Sequence, residues 1–307
     1  MNETDATLID EPSAESTRVG VEDGVDLHVV RAGDPDDPLV VLLHGFSDFW
    51  YGWCNQIPAL VDAGYRVVAP DIRGFNLSDK PRGLDAYRMG RLSGDVVALI
   101  ESEGRESARV VGHDMGGQIS WDLAQRHPER VERLGIVNVP HLSAFRRTLW
   151  STPRQLLRSW YGFFFQVPRL PEWLLGRNDA QGIVDILTGS SRPGAFTADE
   201  LEYYRRAYTR QGGLHGAVNY YRALFRRRDD PPRERVAAPT LVVWGEDDEA
   251  LVPELASTSL EYCDDGRLER FPDATHWVHR EAVERVNELL VAHLAAERPP
   301  APRPNAA

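Results

Sequence analysis

Lysine is almost absent: Lys80 is the only one among 35 basic residues, and the others are arginines. Cysteine is as scarce, with Cys54 and Cys263 alone, which excludes a disulfide framework and leaves no metal-ligand spacing. Both are expected to remain free thiols. No apolar run reaches membrane-spanning length, and Met1 to Thr17 is acidic and polar where a signal peptide needs a positive start and an apolar stretch. A cytoplasmic location is the expectation. Positive charge is also in deficit. The 47 acidic residues give a formal net charge of -12, which repels a phosphate backbone and an anionic membrane, so neither nucleic acid nor membrane is an expected partner. An acidic, lysine-poor surface suits a salt-rich cytoplasm, where a short Debye length removes carboxylate self-repulsion. High-GC coding leaves the same mark. The oligomeric state is not legible.

What is present is ordinary globular composition, 42% hydrophobic and 27% charged over 307 residues, enough for one large α/β domain with an insertion or for two smaller domains. Short apolar runs at Leu39 to Leu43, Arg66 to Ala69, Ala108 to Val111, Leu134 to Val139 and Thr240 to Trp244 alternate with amphipathic stretches, the rhythm of βαβ units. Consecutive apolar residues in these runs predict parallel strands covered on both faces. Arg18 to Val21 and Asp26 to Val30 alternate instead, as an antiparallel edge hairpin would. Between Val139 and Pro239 the rhythm breaks, and stretches 155–165, 198–211 and 214–227 read as helices. Aromatic residues are concentrated there. The expected organisation is a core of residues 17–140 and 238–297, an inserted helical cap over 141–237, and flexible ends at 1–16 and 298–307.

The chemistry is set by Gly112-His113-Asp114-Met115-Gly116, which follows the strand at Ala108 and precedes an apolar-periodic helix over Gln118 to Arg126. G-x-nucleophile-x-G between a strand and a helix is the nucleophile elbow, in which small residues permit a sharp turn that exposes the central side chain. Aspartate at the centre narrows the substrate. A carboxylate attacking a saturated carbon leaves an alkyl ester that water can cleave, whereas serine would leave an inert ether. An epoxide or alkyl halide is the expected electrophile.

Hydrolysis of the ester needs a base and an orienting acid later in the chain. His276 lies in Phe271-Pro272-Asp273-Ala274-Thr275-His276-Trp277 after a strand near Leu268, and is the expected base. The other histidines, His113 and His141 among them, have no carboxylate placed after a strand as partner in the sequence. Among Glu246, Asp247 and Asp248, motif position favours Asp248 as the acid. His44-Gly45-Phe46 follows the strand at Leu39, so the Phe46 and Met115 N–H groups are expected to form an oxyanion hole.

These residues resemble the epoxide hydrolase family of the α/β-hydrolase fold. The resemblance runs from about Arg18 to Leu294 and rests on His44-Gly45-Phe46 with Trp50-Tyr51-Gly52-Trp53, Pro70-Asp71-Ile72-Arg73-Gly74 with Ser78-Asp79-Lys80-Pro81, the elbow, Asn138-Val139-Pro140-His141, Trp244-Gly245-Glu246 with Asp248, and His276-Trp277. It implies a mostly parallel central sheet flanked by helices. It also implies two cap tyrosines aimed at the epoxide oxygen, matched here by Tyr161, in the aromatic run ending Phe165-Gln166, and by Tyr221 in Asn219-Tyr220-Tyr221-Arg222. A phenol, with a pKa of about 10, can protonate an alkoxide while staying protonated at neutral pH. Trp50 and Phe165 are expected to border the substrate. No metal or organic cofactor is expected.

Two positions depart from the family pattern. Ser47 replaces the proline usual after His-Gly-Phe, which puts the presentation of the Phe46 N–H in question. Met115 replaces a tryptophan, and a thioether cannot donate a hydrogen bond. Haloalkane dehalogenases share the fold and the aspartate but use that indole N–H to hold the departing halide. The expected activity is therefore epoxide hydrolysis to a vicinal diol through an alkyl-aspartyl ester. A haloalkane or haloacid dehalogenase is the first alternative, and a ligand-binding protein that keeps the pocket without turnover is the second.

Overall fold

Consecutive valines, leucines and isoleucines make the central strands, because such residues fit a pleated surface covered on both sides. In the computed structural model, which describes residues 5–227 and 229–295, the strands are β1 (Glu15–Val21), β2 (Val25–Ala32), β3 (Leu39–Leu43), β4 (Arg66–Pro70), β5 (Ala108–His113), β6 (Val131–Val137), β7 (Thr240–Gly245) and β8 (Gly266–Phe271). They form one sheet in the order β1-β2-β4-β3-β5-β6-β7-β8. β1 and β2 pair antiparallel, as the alternating pattern predicts, and every pair from β4 to β8 is parallel. All residues of β3, β4 and β7 are buried, whereas the outer strands β1 and β8 are largely open.

Helices α1 (Gln56–Asp62), α2 (Met89–Ser102) and α3 (Asp114–Arg126) belong to the first half of the core. Six follow between β6 and β7: α4 (Leu142–Ser151), α5 (Pro153–Arg158), α6 (Trp160–Phe164), α7 (Leu170–Gly189), α8 (Ala198–Thr209) and α9 (Gly213–Arg226). The core closes with α10 (Glu254–Leu260), α11 (Val278–Glu281) and α12 (Val283–Ala295). α8 starts with a reciprocal capping box between Thr197 and Glu200. α9 is seated directly on the core, since a Cβ at Gly216 would lie 2.1 Å from the Gly74 carbonyl oxygen.

Three expectations need correction. The helix predicted over 155–165 is two short helices separated at Ser159. α7 occupies a stretch where no helix was predicted, because Pro171, Gly176 and Gly182 interrupt the apolar pattern; its backbone leaves helical geometry at Arg177 to Ala180, with φ of 50, 55 and 58° at Asn178, Asp179 and Ala180. Of the expected flexible end over 1–16, residues 1–4 lie outside the described residues, and the rest is not uniformly loose, because Ala6 and Ile9 are buried and β1 begins at Glu15. The expected flexible tail over 298–307 lies outside the described residues. No helix among the described residues is long and apolar enough to cross a membrane.

Candidate active site

The turn from β5 into α3 holds Asp114 at φ 46°, in the left-handed region, a strain of about 1–3 kcal/mol that neighbouring packing must sustain. Gly116 makes the turn possible: any Cβ there would lie 2.2 Å from the Leu43 carbonyl oxygen. The Phe46 N–H donates to Asp114 Oδ2 at 2.8 Å, and the Met115 N–H is among the neighbouring groups that favour the charged carboxylate. Burial pushes the Asp114 carboxyl above its ordinary value, opposed by His276 and by those two N–H groups. Of the two expected oxyanion donors, Phe46 is hydrogen-bonded to the Asp114 side chain.

Ser47 explains how the departing residue is tolerated. Its φ is 58°, which a proline ring fixed near about -65° could not adopt. The chain turns through Ser47 by a left-handed route and still presents the Phe46 N–H. Behind it, burial lowers His44 to about 4, so its ring is neutral. Its Nε2 accepts from the Ile72 N–H at 3.0 Å, which puts the ring proton on Nδ1, 3.0 Å from the Gly45 carbonyl. The neighbouring Asp71 is fixed by His28 Nδ1 at 2.7 Å, Asn76 Nδ2 at 2.9 Å and the Trp50 N–H at 3.2 Å. His28 therefore does have a carboxylate partner placed after a strand, contrary to the sequence expectation. Pairing across β2 and the end of β4 is invisible in linear order.

His276 Nδ1 lies 2.7 Å from Asp248 Oδ2. Burial works against a charged imidazole, but the Asp248 carboxylate and its hydrogen bond outweigh it, with Asp114 adding to the effect, and the ring is pushed up to about 9. Asp248 goes the other way: burial alone would raise it, yet His276, the Asn138 amide and the Ala250 N–H hold it below the ordinary carboxylate range. Sequence reasoning placed Asn138 in a motif without giving it a task. Its Nδ2 donates to Asp248 Oδ2 at 3.0 Å, and its Oδ1 accepts from the Gly245 N–H at 2.8 Å. The available signal was an asparagine just past β6, at the carboxyl end of the sheet.

Asp114, Asp248 and His276 border a cavity of about 800 Å³, roofed by residues of the inserted helices that include Tyr161, Phe165 and Tyr221. The Tyr161 and Tyr221 rings meet edge to face, with centroids 5.8 Å apart. Burial raises both phenols above their ordinary value, and the Asp114 carboxylate raises them further, so both stay protonated. Gln166 and Arg222 tie the two segments together: Gln166 Nε2 donates to the Tyr221 carbonyl at 3.2 Å, and Arg222 Nε donates to the Phe165 carbonyl at 3.0 Å. Next door, Tyr220 donates to the Arg73 carbonyl at 2.8 Å and anchors α9 to the core.

Phe165 borders the cavity as expected, but Trp50 does not. It is fully buried, its ring packed against Phe49 and Tyr51 and its backbone N–H held by Asp71. Among the described residues, one group has metal-ligand geometry: Asp48, His113 and His279, with ligand atoms within 4.8 Å of one another. Asp48 Oδ2, His113 Nδ1 and both His279 ring nitrogens have no hydrogen-bond partner. The group sits behind the elbow, and His113 Nε2 donates to the His276 carbonyl at 3.0 Å. Its free lone pairs suit water or a divalent ion.

Comparison with known proteins agrees with this geometry. Residues 38–283 match the family model described as the alpha/beta hydrolase fold. The chain is 42% identical over 273 residues to the AB hydrolase superfamily protein YfhM of Bacillus subtilis, covering 88% of this chain and 95% of that protein. It is 36% identical over 272 residues to Epoxide hydrolase 1 of Caenorhabditis elegans, covering 87% of this chain and 67% of that one. Among solved structures, a variant of an epoxide hydrolase from Bacillus megaterium, complexed with its naphthyloxy-propane-diol product, superposes with a TM-score of 0.84 at 30% identity, covering 91% of this chain and all of that one. The fold, the elbow and these relatives together make the chain a member of the α/β-hydrolase family, in its epoxide hydrolase branch.

Proposed function

We propose that the protein hydrolyses an epoxide to a vicinal diol in two steps through an ester on Asp114. In the first, an Asp114 oxygen attacks an epoxide carbon and the ring C–O bond breaks as Tyr161 or Tyr221 donates its proton to the ring oxygen. Burial makes these phenols weaker acids than in water, and an alkoxide remains basic enough to take the proton. In the second, His276 takes a proton from water as it attacks the ester carbonyl, and the Phe46 and Met115 N–H groups hold the oxyanion. Collapse returns that proton to the departing diol oxygen. The regenerated Asp114 carboxyl gives its remaining proton back to the tyrosinate. One water is consumed.

The charges support this order. While Asp114 is ionised it helps to keep His276 protonated, because its charge is among the causes that raise the imidazole. Esterification removes that charge. The imidazole then loses its proton more readily and becomes a base only after the ester has formed. Asp248, held by Asn138, orients the ring throughout. The inserted helices act as a cap that supplies the acid and excludes water.

The observation that carries the reading is that Asp114, held by the Phe46 N–H, shares one cavity with the His276–Asp248 pair and with both tyrosines. The largely apolar lining suits a lipophilic or aryl-substituted epoxide. A single turnover in isotopically labelled water tests it: label is expected in the Asp114 carboxylate, and label appearing only in the diol would overturn the covalent path. Halide release from alkyl halides should be minor, since Met115 supplies no N–H from its side chain.

A further inference from the structure

The eight tryptophans fall into two sets. Trp50, Trp53, Trp121, Trp244 and Trp277 are at most 1% exposed, whereas Trp150, Trp160 and Trp173 are 74, 63 and 60% exposed. All three exposed rings lie on the inserted helices, in a stretch of chain where Leu157 and Phe163 are exposed as well. The large hydrophobic residues left exposed among the described residues all fall between Trp150 and Trp173, apart from Phe225, whose ring packs 5.7 Å from Phe163. Leu157 and Trp160 also line the cavity, so this exposed stretch reaches the cavity rim through them.

The charge of this stretch is opposite to that of the whole chain. Over residues 141–177 there are six arginines and a single carboxylate, Glu172, in a protein of net charge -12. Glu172 is already paired with Arg222. Arg146 and Arg147 pair with Asp230 and Glu261. Arg154 and Arg169 are exposed and form no ion pair among the described residues, and Arg177 lies over the Trp173 ring, 5.0 Å from its centroid. Net charge argues against an anionic surface only when it is evenly spread.

We infer that this aromatic, arginine-flanked face docks on an anionic lipid surface and sets the rim of the cavity against the bilayer. Tryptophan and arginine together are the chemistry of the membrane interface, where amphipathic rings sit at headgroup level and guanidinium groups meet lipid phosphates. The acidic remainder of the chain is repelled by the same surface and turns the face toward it. A second copy of the chain is a poorer occupant, since a two-fold contact would bring Arg154 and Arg169 toward the same residues of the other copy. Apolar molecules dissolved in the lipid would then enter the cavity without crossing water. That these are epoxides rests on the function proposed above; the docking does not.

The test is co-sedimentation with vesicles of phosphatidylglycerol and phosphatidylcholine, against vesicles of phosphatidylcholine alone, at low and high salt. Tryptophan emission serves as a second readout, because the exposed rings all lie on this face. The expected result is binding to the anionic vesicles with a blue shift, and its weakening by salt. Reversal of Arg154 and Arg169 to Glu should lower partitioning at least about tenfold. Trp150→Ser with Phe163→Ser and Trp173→Ser should lower partitioning at least about tenfold and shrink the blue shift to what Trp160 alone gives, while leaving the melting temperature and circular dichroism unchanged. No binding to anionic vesicles, or equal and salt-insensitive binding to both kinds, would overturn the inference. So would lipid-free self-association that the same triple substitution abolishes, which would make the face a contact between copies. No epoxide enters these measurements, so their failure leaves the proposed reaction separately testable.

Discussion

Tyr161 and Tyr221 meet at 90°, ring centroids 5.8 Å apart, although one belongs to the short helix α6 and the other to α9. Both phenols border the Asp114 cavity, so a single epoxide oxygen can be served by two donors. Tyr161→Phe and Tyr221→Phe should each lower the rate of epoxide opening about 100-fold, and the double substitution should suppress it further. Pre-steady-state alkylation of Asp114 measures this directly. A double variant that still forms ester at the original rate would remove the tyrosines from the reaction.

Replacing His276 by Gln should separate the two steps. Asp114 keeps the Phe46 N–H and should still be alkylated, while hydrolysis of the ester should fall by at least about 100-fold. Mass spectrometry of the intact protein should show the adduct accumulating. Rapid turnover without adduct would assign the base elsewhere.

The pH dependence has a defined sign. His276 is raised to about 9 in the free enzyme and acts only when neutral, and loss of the Asp114 charge lowers it in the ester state. Ester hydrolysis should therefore rise with pH and level off below 9. For stability the sign is opposite: an imidazole raised above its unfolded value stabilises the fold fully at pH below about 6.5, and that contribution is lost as pH rises through about 9. Single-turnover decay and thermal melting across this range check the two statements independently.

Asn138 is buried at φ 43° and joins Asp248 to the backbone of Gly245. Asn138→Ala should cost about 1–3 kcal/mol of stability through the unsatisfied groups it leaves. It should also slow ester hydrolysis more than alkylation and displace the pH profile of the hydrolytic step. A uniform loss of both steps, with no displaced profile, would reduce Asn138 to a structural role.

Ser47 offers a backbone test. At φ 58° proline cannot be accommodated, so Ser47→Pro, although it restores the family residue, should impair both folding yield and activity. Ser47→Gly should be tolerated, because glycine adopts this region readily. Wild-type activity in the proline variant would show that the turn can be rebuilt around a different backbone.

Much of this site was legible without coordinates. Asp114, His276 and Asp248 each follow a strand, and in a parallel sheet every strand delivers its carboxyl end to the same edge, so linear motifs carry spatial information. The same logic failed for Trp50, which also follows a strand but turns into the core, and for Asn138, whose partner lies on the neighbouring strand connection. It failed for α7 because prolines and glycines mask a helix that is held by packing.

Composition and local pattern determined that strands alternate with helices, that a sharp turn exposes a carboxylate, and that an aromatic-rich insertion interrupts the core. These follow from residue volume, period and backbone freedom, all of which act over a few neighbours. Tertiary structure alone decided that Gln166 and Arg222 clamp the tyrosine segments together, that His28 meets Asp71, and that three tryptophans face outward while five are buried. Those outcomes depend on which surfaces remain uncovered once the whole chain has packed, a property that no local stretch of sequence contains.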